Sequence, residues 1–209
     1  MLSSISKEEL EALPIATFKG KIILVDSDDK VAVAVNQLKK YRFLGFDTES
    51  KPEFRRGQQN KLALIQLSSP DFCCLFQLRG IKNLQPILEL LADESILKIG
   101  LAVKDDFHSM KQFSFQPRGF VDIQDVAKNS GIEDMSLQKI YAIVFGEKIL
   151  KKQRLSNWSL PTLSTAQKQY AALDAWSCLR IYTKLNNLTE TFYSESQSRF
   201  QVCLFVYLL

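Results

Sequence analysis

The chain has 209 residues, of which 46% are hydrophobic and 24% charged, with a formal net charge of +4 at neutral pH. That is the balance of a soluble globular protein long enough to bury about 70% of its unfolded surface. The charge allows a polyanionic partner without requiring one. No apolar stretch reaches the roughly 18 residues of a membrane-spanning helix. The spacing of Cys73, Cys74, Cys178 and Cys203 matches no zinc pattern and reads as core thiols of a reducing compartment.

The amino terminus shows no secretory signal, because "MLSSISKEEL" lacks a basic start followed by an apolar run. An intracellular protein is therefore expected, cytoplasmic, or nuclear in a eukaryote. In chain order, "KEELEAL" (7–13) reads as a short helix ending near Pro14. "KIILVDS" (21–27) reads as a strand and "SDDKVAVAVNQLKKY" (27–41) as a helix that Ser27 can cap. Three strand-like runs follow, "RFLGFDTES" (42–50), "KLALIQLSS" (61–69) and "FCCLFQLR" (72–79), with a polar loop at 51–60 between the first two. "NLQPILELLAD" (83–93) is helical in period, "SILKIGLAV" (95–103) is β-like, and "KDDFHSMKQF" (104–113) can start a helix, its acids favouring the amino-terminal end.

After Pro117 the strand signals stop. "VDIQDVAKNSG" (121–131), "SLQKIYAIVFG" (136–146) and "STAQKQYAALDAWSCLRIYTKLNNL" (164–188) all carry apolar residues at helical spacing. The expected fold class is α/β, with a mixed first half and a mostly helical carboxy-terminal half. One domain over 1–209 is expected, its core at about 43–185, with an amino-terminal extension over 1–20. The terminal "QVCLFVYLL" (201–209) is too short to span a bilayer and lacks the basic face of an amphipathic anchor; it reads as a final strand or the cut edge of a longer protein.

Three places carry residues suited to chemistry. Residues 43–46 are apolar, so their strand is expected to be central, with Asp47 and Glu49 at its carboxy-terminal end. Residues two apart on a strand share a face, so both carboxylates project together. Like charges so close favour keeping one protonated unless a hard cation such as Mg²⁺ is bound. Asp105 and Asp106 follow a later strand-like run and, taken alone, read more simply as helix amino-terminal acids, a role Asp106 could combine with chemistry. Tyr170 and Asp174 lie four apart on a helix, hence on one face. The alanines around them allow close approach of another element, such as the strand bearing Asp47. Taken singly, each feature has a plain structural reading.

Together, an acidic pair on a strand, a third acid after a later strand and Tyr-x-x-x-Asp on a carboxy-terminal helix occur in an order that resembles the DEDD family of 3′–5′ exonucleases. The resemblance is to its tyrosine branch (DEDDy), in the group of the Werner-syndrome-protein exonuclease domain and ribonuclease D. "SNWSLPTLSTAQKQYAALDAWSCLRIY" is similar to the last motif region of that group, and "ALIQL", "KIGLAVKDD" and "VDIQDVA" resemble the intervening segments.

The resemblance implies a ribonuclease-H-like mixed sheet flanked by helices. It implies two Mg²⁺ or Mn²⁺ ions held by Asp47, Glu49, Asp106 and Asp174, with Asp106 rather than Asp105 as the third acid. Tyr170 would orient the attacking water. Such a site hydrolyses phosphodiester bonds by in-line displacement, which needs clustered carboxylates and no covalent nucleophile. The expected partner is nucleic acid with a free 3′ end. DNA is favoured by the match around "SNWS", with ribonuclease-D-like trimming of RNA 3′ ends as the alternative. A catalytically inactive nucleic-acid-binding homologue would be expected to lack at least one of the acids, and all four are present. A nucleotide-binding α/β protein would need a glycine-rich turn after its first strand, which "DTESKPEF" lacks.

Candidate substrate contacts are Thr48, His108, Lys151, Lys152, Arg154 and Trp158. His108, two residues after Asp106, reads more simply as a plain helix residue. The basic loop could grip phosphates or merely be solvated. Trp158 could stack on a base, although docking in the core is the simpler reading. The chain shows no helicase motif, so it would act alone or with a separate protein such as a helicase. No membrane partner is expected.

Overall fold

The computed structural model describes residues 2–51, 61–114 and 116–188. The loop expected over 51–60, Lys51 apart, and the apolar tail at 201–209 lie outside the described residues. Six strands form one sheet: β1 (Lys21–Val25), β2 (Phe43–Lys51), β3 (Lys61–Ser68), β4 (Phe72–Gln77), β5 (Leu97–Gly100) and β6 (Phe120–Asp122). Their order is β1-β4-β3-β2-β5-β6. β3 runs antiparallel to β2 and β4, and the other pairings are parallel.

The sheet is covered on both faces, which is why its central strands read as continuous apolar runs rather than alternating ones. Alternation survives in which face each residue serves. On β4, Cys73 and Leu75 join one core while Cys74 and Phe76 join the other. The first core is roofed by α5 (Ile123–Asn129), α6 (Leu137–Phe145) and α7 (Thr165–Leu185). The second is closed by α2 (Asp28–Leu38), α3 (Gln85–Ala92) and α4 (Val103–Met110). The amino-terminal helix α1 (Lys7–Ala12) packs Leu10, with Ile5, against Ala142 of α6. Cys73, Cys74 and Cys178 are free, buried thiols. Among the described residues, no helix is long and apolar enough to cross a membrane.

The strands do not stop after Pro117. β6 is an edge strand of three residues, paired in parallel with β5, and too short to show any periodicity. Ser27 occupies the amino-terminal cap of α2 but its side chain caps nothing; the Asp28 carboxylate instead accepts the backbone N–H groups of Lys82 and Asn83. β2 continues to Lys51, so Asp47 and Glu49 lie within the strand rather than beyond its end.

Helix α7 sets how closely the carboxy-terminal half approaches the sheet. Ser164 and Gln167 form a reciprocal capping box at its start. Ala171, Ala172 and Ala175 are fully buried in the core that α7 shares with the sheet. Their short side chains let the helix lie close on β2. At Gly45 the approach is backbone to backbone: a Cβ built there would stand 1.9 Å from the Ala175 carbonyl oxygen.

Candidate active site

β2 presents Asp47 and Glu49 on the face covered by α7, and α7 presents Asp174 to them. One carboxylate oxygen from each of the three can be chosen so that all lie within 4.8 Å of one another. These residues line a cavity of about 330 Å³ together with Thr48, Leu101, Ser136, Leu137, Lys151, Arg154, Tyr170 and Cys178. Two local rules produce the convergence. The period of two on a strand sets Asp47 and Glu49 side by side, and the helical turn from Tyr170 to Asp174 sets a phenol beside the third acid.

Asp106 joins from α4. It is 9% exposed, whereas its neighbour Asp105 faces solvent, so the phase of the short helix chooses between them. Its carboxylate accepts a hydrogen bond from the Thr48 hydroxyl, which lies between Asp47 and Glu49 in sequence. Asp106 thus stands behind the group of three, tied to the strand that carries two of them.

The electrostatics follow from crowding four carboxyls in a buried place. Burial, then the Asp174 charge, raises Asp47 well above the ordinary carboxyl range. Glu49 is pushed to about 10 by burial and by Asp47, Asp174 and Asp106, with Arg154 opposing. Asp106 rises to about 8 through burial and the Asp47 charge, against the Thr48 hydrogen bond. Asp174 rises to about 7 through burial, restrained by hydrogen bonding to Tyr170 and by the Lys151 charge. The Tyr170 phenol is itself raised, first by burial and then by the Asp174 and Glu49 charges, so it is neutral at any working pH. One oxygen of Asp174, Oδ1, is buried without a hydrogen-bond partner. Clustered hard oxygens, mutual repulsion and an unpartnered buried oxygen are the donor set that a Mg²⁺ or Mn²⁺ ion fits.

The other sequence candidates separate. Lys151 and Arg154 reach the cavity wall. Lys152 lines a different cavity, of about 360 Å³, with Ile15, Phe18 and the opposite side of Tyr170. His108 is exposed on α4. Trp158 is fully buried, its ring 6.1 Å from that of Tyr170, so it offers no face to a base and belongs to the core. Sequence reasoning missed Ser136, Leu137, Leu101 and Cys178 as cavity wall. Only Cys178 carried a signal, lying one helical turn after Asp174. A larger cavity, about 600 Å³, lies toward the other end of α7 around Tyr41, Trp176, Arg180 and Lys184; among the described residues, Asp71 is the one acid lining it.

Comparison with known proteins gives the same picture. The 3′–5′ exonuclease family profile matches residues 22–190. The mouse bifunctional 3′–5′ exonuclease/ATP-dependent helicase WRN is 37% identical over 155 residues, 71% of this chain but 11% of that protein. Escherichia coli RNase D superposes with a TM-score of 0.73 at 26% identity, covering 82% of this chain and 46% of that one. The EXO domain of Aedes aegypti Nibbler does so with a TM-score of 0.75 at 23% identity, covering 83% and 92%. The mixed six-stranded sheet with flanking helices is therefore the ribonuclease-H-like fold of these nucleases. The chain spans a small part of WRN and less than half of RNase D. The match to the family profile, over most of its length, places this chain in the 3′–5′ exonuclease family.

Proposed function

We propose that this chain removes nucleotides one at a time from the 3′ end of nucleic acid, DNA by preference, at the cavity between β2 and α7. The observation that carries the reading is the convergence of Asp47, Glu49 and Asp174 in a cavity also walled by Tyr170, Lys151 and Arg154. Asp47, Glu49, Asp106 and Asp174 would hold two divalent ions, Mg²⁺ or Mn²⁺. When bound, the ions would supply Lewis-acid activation of water and stabilisation of the leaving 3′-oxygen.

The chain's own residues do the rest. The Tyr170 hydroxyl hydrogen-bonds the water and holds it in line with the phosphorus. As a neutral phenol it orients without adding charge to a crowded site. This is the water-orienting tyrosine of the DEDDy branch. Lys151 and Arg154, which from the cavity wall also temper Asp174 and Glu49, bind non-bridging phosphate oxygens of the substrate. Water attacks phosphorus, the bond to the 3′-oxygen breaks, and a nucleoside 5′-monophosphate leaves behind a new 3′-hydroxyl.

Preference for DNA rests on the resemblance around "SNWS" to the Werner-type exonuclease domain. RNA is the second reading, favoured by the likeness to E. coli RNase D, whose structure is described as that of an exoribonuclease. The deciding experiment uses 5′-labelled DNA and RNA oligonucleotides with Mg²⁺ or Mn²⁺. A ladder of shortening products, abolished by a blocked 3′ end and by Asp47→Asn, is expected. Cleavage of circular DNA would make the enzyme an endonuclease and overturn the proposal. Faster turnover of RNA than of DNA would reverse the substrate preference alone.

A further inference from the structure

Gln66 lies at the centre of β3, with 0% of its surface exposed. Neither its amide nitrogen nor its amide oxygen has a hydrogen-bond partner. Apart from the strand opposite, its neighbours are apolar: Leu64 shares its strand face, Leu75 pairs beside it on β4, and the alanines of α7 roof the same core. A buried amide with both ends unpartnered destabilises a fold, and a leucine or methionine would fill the same space without that cost. The fold therefore gives no reason for an amide at this position.

The register of the sheet supplies one. Gln66 is the residue directly opposite Asp47 in the antiparallel β2–β3 pair. Directly opposed residues project to the same face with their Cβ atoms about 5 Å apart. An extended glutamine at that spacing spans the gap to the neighbouring carboxylate. Thr48, the residue after Asp47 on the same strand, holds Asp106 through its hydroxyl. Gln66 is the polar side chain that the next strand places beside Asp47.

We propose that Gln66 is a positioning residue for Asp47. In the structure the Gln66 amide is unpartnered; with a cation held at the site, its N–H would donate to the Asp47 carboxylate opposite and fix the plane of that carboxylate. Partners of this kind, one shell removed from a metal, typically change metal affinity or activity by about 10–100-fold. The inference rests on the metal-site reading given above.

The test is Gln66→Met, which keeps the shape and removes both polar atoms. Mn²⁺ binding to the wild-type protein is measured first by calorimetry, without substrate; its absence there would sink the metal-site reading itself. Given wild-type binding, Gln66→Met should melt at the same temperature or higher without cation, yet bind Mn²⁺ about 10–100-fold more weakly. In an Asp47→Asn background the same substitution should make no further difference to Mn²⁺ affinity. Normal affinity in the single variant, or an additive loss in the double variant, overturns the proposal. If Gln66→Met does not fold, Gln66→Leu replaces it. Failure of both, or a lowered melting temperature with normal affinity, makes the amide a group that serves the fold and equally overturns the proposal.

Discussion

Gly45→Ala tests the contact on which the site depends. Gly45 stands two residues before Asp47 on β2, and the backbone it meets on α7 is that of Ala175, the residue after Asp174. Its φ lies outside the left-handed region, so conformation does not require glycine. Without a neighbour, alanine here would stabilise by about 0.4–1 kcal/mol by restricting the unfolded chain. Space reverses the sign. The added Cβ would sit 1.9 Å from the Ala175 oxygen and 2.7 Å from its carbonyl carbon, about 1.5 Å short of ordinary contact. Neither partner yields cheaply, since β2 is hydrogen-bonded to β3 and β5 and the obstacle is helix backbone. Overpacking a core costs about 1–3 kcal/mol, and a backbone obstacle places this case at the upper end. For a chain of this size that lowers the melting temperature by about 6–12 °C. The function should suffer more. Relief of the clash moves Asp174 away from Asp47 by an ångström or so, and misplacement of about 1 Å costs about 10²-fold in rate. Thermal melts and single-turnover cleavage of a 5′-labelled oligonucleotide, run well below the variant's melting temperature, check both. A melting temperature within about 2 °C of wild type together with a rate within about threefold would show that the helix and strand are not in backbone contact, and the reasoning would fail.

Tyr170→Phe keeps the ring against its buried neighbours and removes the hydroxyl, so Mn²⁺ affinity and melting temperature should hold while turnover falls by about 10²–10⁴-fold. Near-wild-type turnover would return Tyr170 to the core. Stability of the cation-free protein should depend on pH with a definite sign. Glu49, Asp106 and Asp174, raised to about 10, 8 and 7, bind protons more tightly folded than unfolded, so their stabilisation is full below the ordinary carboxyl range and is lost as pH rises through those values. The melting temperature in EDTA should therefore fall between about pH 5.5 and 8.5, while saturating Mn²⁺, which binds the ionised cluster, gives an increment that grows with pH. An increment that does not vary with pH would refute the proton–cation exchange.

What could be read from the sequence was whatever depends on short spacings. Two residues on a strand set Asp47 beside Glu49, four on a helix set Tyr170 beside Asp174, and the alanines near Asp174 announced a close approach before any partner was known. The pairing of β3 with both neighbours was not legible, because register is a property of two strands. Gln66 accordingly carried no signal until it was seen opposite Asp47. The choice between Asp105 and Asp106 needed the phase of an eight-residue helix. β6 escaped because three edge residues have no period. The basic loop divided, Lys151 and Arg154 toward the acids and Lys152 away, since irregular backbone assigns direction residue by residue.

That division bears on how a site of four acids would keep the affinity for a cation proposed above. An arginine or lysine placed within the cluster would relieve the repulsion as a buried ion pair and would compete with the metal for the same oxygens. Here the basic groups act from the wall. Arg154 opposes the rise of Glu49 and Lys151 that of Asp174, in each case more weakly than burial drives it. Among the described residues neither closes a salt bridge with the acids. The carboxyls consequently remain short of positive charge, and without a cation the site can balance itself only by holding protons. On the proposed function, the same separation would leave the two basic side chains available to phosphate. A nucleic-acid 3′ end would then meet basic groups that the acids have not already bound in ion pairs, while the cation would neutralise the acids themselves.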